Sequence, residues 1–94
     1  MNKVKDKVTA EMIEDLYKIL LKLETVEDCK NFFEDVCTFQ EIEKMAQRTY
    51  AAKLLLEGKT YAQTIDETAI SSATLSRVSR CIQHGKGYNK FLKD

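Results

Sequence analysis

The sequence predicts an all-α fold of about six helices, and three observations predict it. The 94 residues contain no proline, so nowhere does a ring clash or a missing N–H forbid helix. No stretch alternates apolar and polar residues with the period of two that marks a half-buried strand, and no Asn-Gly or Asp-Gly hairpin turn occurs. Apolar residues instead recur at three- and four-residue spacings behind threonine or serine, the hydroxyl side chains that cap helix starts.

Thr9 precedes AEMIEDLYKILLKL, in which Met12, Ile13, Leu16, Leu20 and Leu23 fall on one side. Glu11 and Glu14 put negative charge near the positive end of that helix dipole. Thr25 precedes VEDCKNFFEDVC, with Asp28 near the capping-box slot and Cys29, Phe32, Phe33 and Val36 as the apolar face. Thr38 opens the longest element, FQEIEKMAQRTYAAKLLLEG. Its apolar positions, Phe39, Ile42, Met45, Ala46, Ala52, Leu55 and Leu56, cover more than half the circumference. That is too much for packing on one side, so this helix is expected to be central. Gly58 ends it in the manner of a left-handed helix terminus. Thr60 caps the short helix YAQTIDETA, Ser71 or Ser72 caps ATLSRVSRCIQ, which runs to Gly85, and YNKFLKD adds a weak last helix.

A chain of this length forms one domain, 1–94, and buries only about 60% of the surface its unfolded form exposes. Its core is therefore thin, and self-association is expected to thicken it. The longest uncharged apolar run falls far short of the ~20 residues needed to span a bilayer. MNKVKDKVTAEM lacks the apolar stretch of a secretory signal, which points to the cytoplasm. Cys29, Cys37 and Cys81 read as reduced thiols packed like small hydrophobes. The C-x-x-H spacing of Cys81 and His84 would suit zinc, but seven residues separate Cys29 from Cys37, not the two to four of a metal pair. One histidine, no Gly-rich phosphate loop and no Ser-His-Asp combination leave no basis for an enzyme. No catalytic, metal or cofactor site is expected.

Net charge is zero, yet its distribution is uneven. Residues 1–70 carry ten Lys/Arg against fourteen Asp/Glu, a balance of −4, and residues 71–94 carry five against one, a balance of +4. Local charge of this kind matters more than the total, because screening acts over about 8 to 10 Å. The basic end contains SSATLSRVSR, residues 71–80. Ile65, Ala69, Ile70, Leu75 and Val78 have the offsets with which a helix-turn-helix packs its two helices. The opposite face of the second helix then carries Ser72, Thr74, Ser76, Arg77 and Arg80. Short hydroxyls let a helix approach a major groove closely, and guanidiniums donate to phosphates and guanine edges. Ala69 stands at the turn position usually held by glycine, where a left-handed backbone would cost on the order of 1 kcal/mol. The same pattern leaves open a helical protein-interaction module in which the two helices are only a packing unit.

AISSATLSRV (residues 69–78) resembles the turn and recognition helix of many bacterial repressors. With the long helix carrying QRTYAAKLLLEGKTY, the link EDVCTFQEIEKMAQR and two amphipathic helices before it, the order is similar to the Trp repressor superfamily over residues 10–85. It looks closest to the small Trp-repressor-related, YerC/YecD-like branch of Gram-positive bacteria.

That resemblance implies an intertwined homodimer with a helical dimerisation core over 9–57, a helix-turn-helix over 60–84 and a C-terminal tail or short helix over 85–94. It implies a regulator, a repressor, with two recognition helices about 34 Å apart on a pseudo-palindromic double-stranded DNA operator, the protein being nucleoid-associated when bound. The implied DNA-binding residues are Gln63, Thr64, Ser71, Ser72, Ala73, Thr74, Ser76, Arg77 and Arg80, with Gln63 standing for a base-reading arginine and able to pair with adenine. The family's effector pocket maps to Arg48, Arg77, Val78 and Cys81. Val78 replaces a glycine and Cys81 a serine that receives the ligand's amino group, so tryptophan is not expected as co-repressor, although another small effector would find room.

Overall fold

In the computed structural model, which describes residues 7–93, the helices are α1 (Ala10–Leu20), α2 (Val26–Val36), α3 (Phe39–Leu56), α4 (Tyr61–Thr68), α5 (Ser72–His84) and α6 (Gly87–Phe91). No strand occurs among the described residues, and no helix there is long and apolar enough to cross a membrane. Asp94, the end of the expected last helix, lies outside the described residues.

The caps fall where the hydroxyls predict them. Thr9 Oγ1 accepts from the Met12 amide at 3.1 Å, and Thr25 Oγ1 from the Asp28 amide at 3.0 Å. Asp28 returns a bond not to the capping residue but to the Glu24 amide, 3.1 Å away. Thr38 and Glu41 form a complete capping box at the start of α3. The Thr38 backbone N–H, then its side chain, holds the Glu41 carboxyl below its ordinary pKa. α1 ends earlier than its apolar pattern suggests: the amides of Lys22 and Leu23 bond back to Ile19 and Leu20 at 2.9 and 3.2 Å, tightening the chain into a turn.

Two compact units divide the chain, Met1–Val36 and Cys37–Asp94. In the first, neither α1 nor α2 buries a single residue. The predicted apolar faces are present but only partly covered: Leu20, Leu23, Phe32 and Phe33 are half-buried, while Leu16 is 38% and Met12 57% exposed.

The second unit holds the core. α3, grouped by its sequence with a dimerisation core, packs here against α4, α5 and α6. Ala51, Ala52, Ile70, Leu75 and Val78 are buried together, with Leu55, Ile65, Ile82, Tyr88 and Leu92 partly buried against them. α3 is thus central, but through a different set of residues from the one its pattern picks. Ala51, Ala52 and Leu54 are its buried side chains, while Phe39 stays 71% exposed and Ala46 is exposed. Two alanines, small enough to let a neighbouring helix approach, mark the contact. Gln47, one turn before Ala51, donates its amide to the Thr68 carbonyl at 2.8 Å and ties α3 to the end of α4.

Gly58 and Ala69 end their helices with positive φ, +96° and +60°. Ala69 is exposed, so replacing it with glycine removes no packing. Relief of left-handed strain, about 1–2 kcal/mol, outweighs glycine's added unfolded-state freedom, about 0.4–1 kcal/mol. Ala69→Gly is expected to raise the thermal midpoint by a few degrees, read by circular dichroism. A lower midpoint would show that the turn is not strained.

Candidate nucleic-acid interface

α4 and α5 form a helix-turn-helix whose turn is set by four local devices. Ala69 takes the left-handed conformation, its amide bonded to the Ile65 carbonyl at 2.8 Å. The Thr68 hydroxyl donates to the Thr64 carbonyl and accepts from the Ile70 amide. Ile70, only 2% exposed, drops into the core. Ser71 then caps α5, its hydroxyl accepting from the Thr74 amide at 3.1 Å, which makes Ser71 rather than Ser72 the cap.

Burial of Leu75 and Val78 fixes which side of α5 faces inward. Ser71, Ser72, Ala73, Arg77 and Arg80 are exposed, and Thr74 and Ser76 are half-buried at the edge of the same face. At the start of this outer face stand hydroxyls and one methyl, and further along stand two guanidiniums. Lacking long apolar side chains, it can enter a groove about 12 Å wide and offer donors to bases and phosphates.

Two of the expected contact residues are placed otherwise. Thr64 has no exposure at all, and its hydroxyl is bonded to the Thr60 carbonyl at 2.9 Å. It is a packing residue, because helical spacing puts it one turn before Thr68 on the core side of α4. Gln63 is exposed, but it belongs to a second complete capping box, its Oε1 accepting from the Thr60 amide at 2.9 Å. With the oxygen edge so engaged, the amide nitrogen is the edge left to the outside. Paired bonds to adenine need both edges, so the adenine pairing expected of Gln63 does not fit this rotamer.

The four residues expected around an effector do come together. Arg48, Arg77, Val78 and Cys81 line a cavity of about 350 Å³ in the second unit, completed by Met45, Thr49 and Tyr88. Val78, 1% exposed, contributes a β-branched wall. Tyr88 was not legible as a site residue, because α6 has five residues and too little periodicity to be oriented from sequence. Asn89, also missed, donates its amide to the carbonyls of Ile82 and Gly85 and so holds α6 against the end of α5. Among the described residues, no three His, Cys, Asp or Glu side chains converge as metal ligands.

Known proteins are similar to this chain in sequence and in fold. The chain is 42% identical over 80 residues to the uncharacterized protein YerC of Bacillus subtilis strain 168, covering 85% of this chain and 77% of that one. A TrpR-like protein from Eubacterium eligens ATCC 27750 superposes with a TM-score of 0.83 at 38% identity, over 90% of this chain and 89% of its own. A candidate Trp repressor from Staphylococcus aureus gives 0.84 at 38% identity, over 98% and 91%. The profile of the family described as Trp repressor protein matches residues 11–94. By its sequence over nearly its whole length and by its six-helix fold, the chain belongs to the Trp repressor family, as a Trp-repressor-related, YerC-like member.

Proposed function

We propose that the protein is a sequence-specific DNA-binding transcriptional regulator, a repressor acting as a homodimer that occludes a promoter through two helix-turn-helix heads. The observation that carries this reading is the division of α5: Leu75 and Val78 lie wholly in the core, while Ser72, Arg77 and Arg80 stand free on the opposite side. Family membership supports the same use of the motif. The regulator works without tryptophan, since the cavity that Arg48 and Arg77 line carries the branched side chain of Val78 in its wall, where the family's pocket has a glycine. A gel shift against genomic fragments, run with and without tryptophan, tests both points. Expected are discrete complexes whose affinity tryptophan leaves unchanged. Absence of any complex in dilute buffer would favour the protein-interaction reading, and tryptophan-dependent complexes would refute the effector assignment.

The uncovered apolar side chains of α1 and α2 support the dimer. A helix whose apolar and polar residues are segregated to opposite faces and that buries no residue leaves apolar side chains in contact with water, at about 25 cal/mol for every Å². A second copy supplies identical faces and a two-fold arrangement that closes on itself. Leu16→Glu, placing a charge in the middle of the α1 face, is expected to weaken self-association at least ~10-fold, measured by sedimentation equilibrium. Unchanged dimerisation would remove α1 from the interface.

A further inference from the structure

We infer that the cavity walled by α3, α5 and α6 is a site for a small organic dianion, a dicarboxylate or a phosphate ester, and that its occupant releases the protein from DNA. The releasing role rests on the DNA-binding reading above and supplies its regulation. The site itself does not depend on that reading.

An arginine is never neutral in a protein, and on a helix its usual partner is a carboxylate three or four residues away. Neither arginine of this cavity has one. Arg48 has Lys44, Met45, Ala51 and Ala52 at those positions, and Arg77 has Ala73, Thr74, Arg80 and Cys81. Among the described residues, no Asp or Glu lines the cavity. Arg48 is half-buried, so the two guanidiniums repel each other where water screens them incompletely. An anion between them removes that cost. Each planar fork matches one carboxylate or phosphate group, and two forks from two helices call for two negative charges. Met45 and Val78 give the wall an aliphatic part against which methylene groups can lie. At about 350 Å³ the space is at the small end of ligand cavities, which limits the dianion to a short carbon chain.

Arg77 sets the sign of the effect. It stands on the exposed side of α5, available to a DNA phosphate. Held by a ligand anion, it no longer is. Residues 71–93 carry five Lys or Arg and no Asp or Glu, so a bound dianion lowers this balance of +5 by two and repels the duplex. The occupant is therefore a releasing ligand rather than a co-repressor.

Titration calorimetry of the DNA-free protein at constant ionic strength tests the site with three probes, succinate, glycerol 3-phosphate and butyrate. At least one of the two dianions is expected to bind. Butyrate, with four carbons like succinate but a single carboxylate, should bind about 10-fold more weakly or worse, and Arg48→Met should weaken dianion binding by a similar factor, each change removing one charged contact. Saturating dianion is expected to weaken duplex binding by wild type at least ~10-fold and to make its salt slope shallower by about two, one phosphate contact in each head. Failure of both dianions to bind, equal affinity for butyrate, or undiminished binding by Arg48→Met with an intact circular dichroism melt would overturn the site. If Arg48→Met does not fold, the comparison of dianion with butyrate on wild type decides alone. A bound dianion that leaves duplex affinity unchanged, or raises it, would overturn the releasing role. A wild-type protein that binds no duplex at all would overturn the DNA-binding reading and the releasing role with it, while the titration without DNA still decides the site.

Discussion

Leu75→Ala is expected to lose about 2–5 kcal/mol of stability and to lower the thermal midpoint by about 10 °C or more. Leu75 has no exposure and sits among Ala51, Ala52, Ile70 and Val78. Two of those neighbours are alanines without rotamers and two are β-branched with few, so the space left by the missing isobutyl group cannot be refilled by rearrangement. The loss is large because the total is small: domains are stable by about 5–15 kcal/mol, and a short chain lies toward the lower end. Thermal unfolding followed by circular dichroism measures it. Leu75→Met, which keeps the volume, should cost less than about 1.5 kcal/mol. Equal midpoints for the two variants would mean that the cluster around Leu75 is not where this fold derives its stability.

Arg80→Ala and Arg77→Ala are each expected to weaken DNA binding by about 100-fold or more, because a charged hydrogen bond contributes roughly 1.5–3 kcal/mol and a dimer loses two copies of it. If both arginines meet phosphates, the loss should be similar on every duplex. The slope of log affinity against log salt concentration should also become shallower by about two, with each lost phosphate contact accounting for nearly one. Arg77 also lines the 350 Å³ cavity, so Arg80→Ala, outside it, isolates the phosphate term. Binding curves at several salt concentrations decide the matter. A slope equal to wild type would mean that neither guanidinium touches the backbone, and a loss confined to some duplexes would make them base readers.

Much of this was written in local chemistry. Thr9, Thr25, Thr38, Thr60 and a serine before Ala73 were readable as helix starts, because a cap needs one hydroxyl and the amide three residues later. Both lie within a single turn. Ala69 was readable as a left-handed residue from its place between two helices. The face of α5 was legible for the same reason: Leu75 and Val78 are three apart, so the arginines had to lie elsewhere on the helix. Thr64 was misplaced because a threonine's polarity suggests solvent, whereas its hydroxyl can satisfy itself on the Thr60 carbonyl and let the methyl group pack. The capping-box engagement of Gln63 was not legible, because no sequence pattern tells which amide edge a capping box will engage.

From the sequence by itself came the class of fold, the order and capping of the helices, and the sidedness of α5, since periodicity and caps are properties of neighbours a few residues apart. Only the tertiary structure decided that α3 buries Ala51, Ala52 and Leu54 rather than Phe39, that Thr64 belongs to the core, and that Arg48, Arg77, Val78, Cys81 and Tyr88 wall one cavity. These are meetings of residues up to 40 positions apart. Such meetings depend on which of several apolar surfaces achieves the closest packing, and that competition is settled by shape in three dimensions rather than by spacing along the chain.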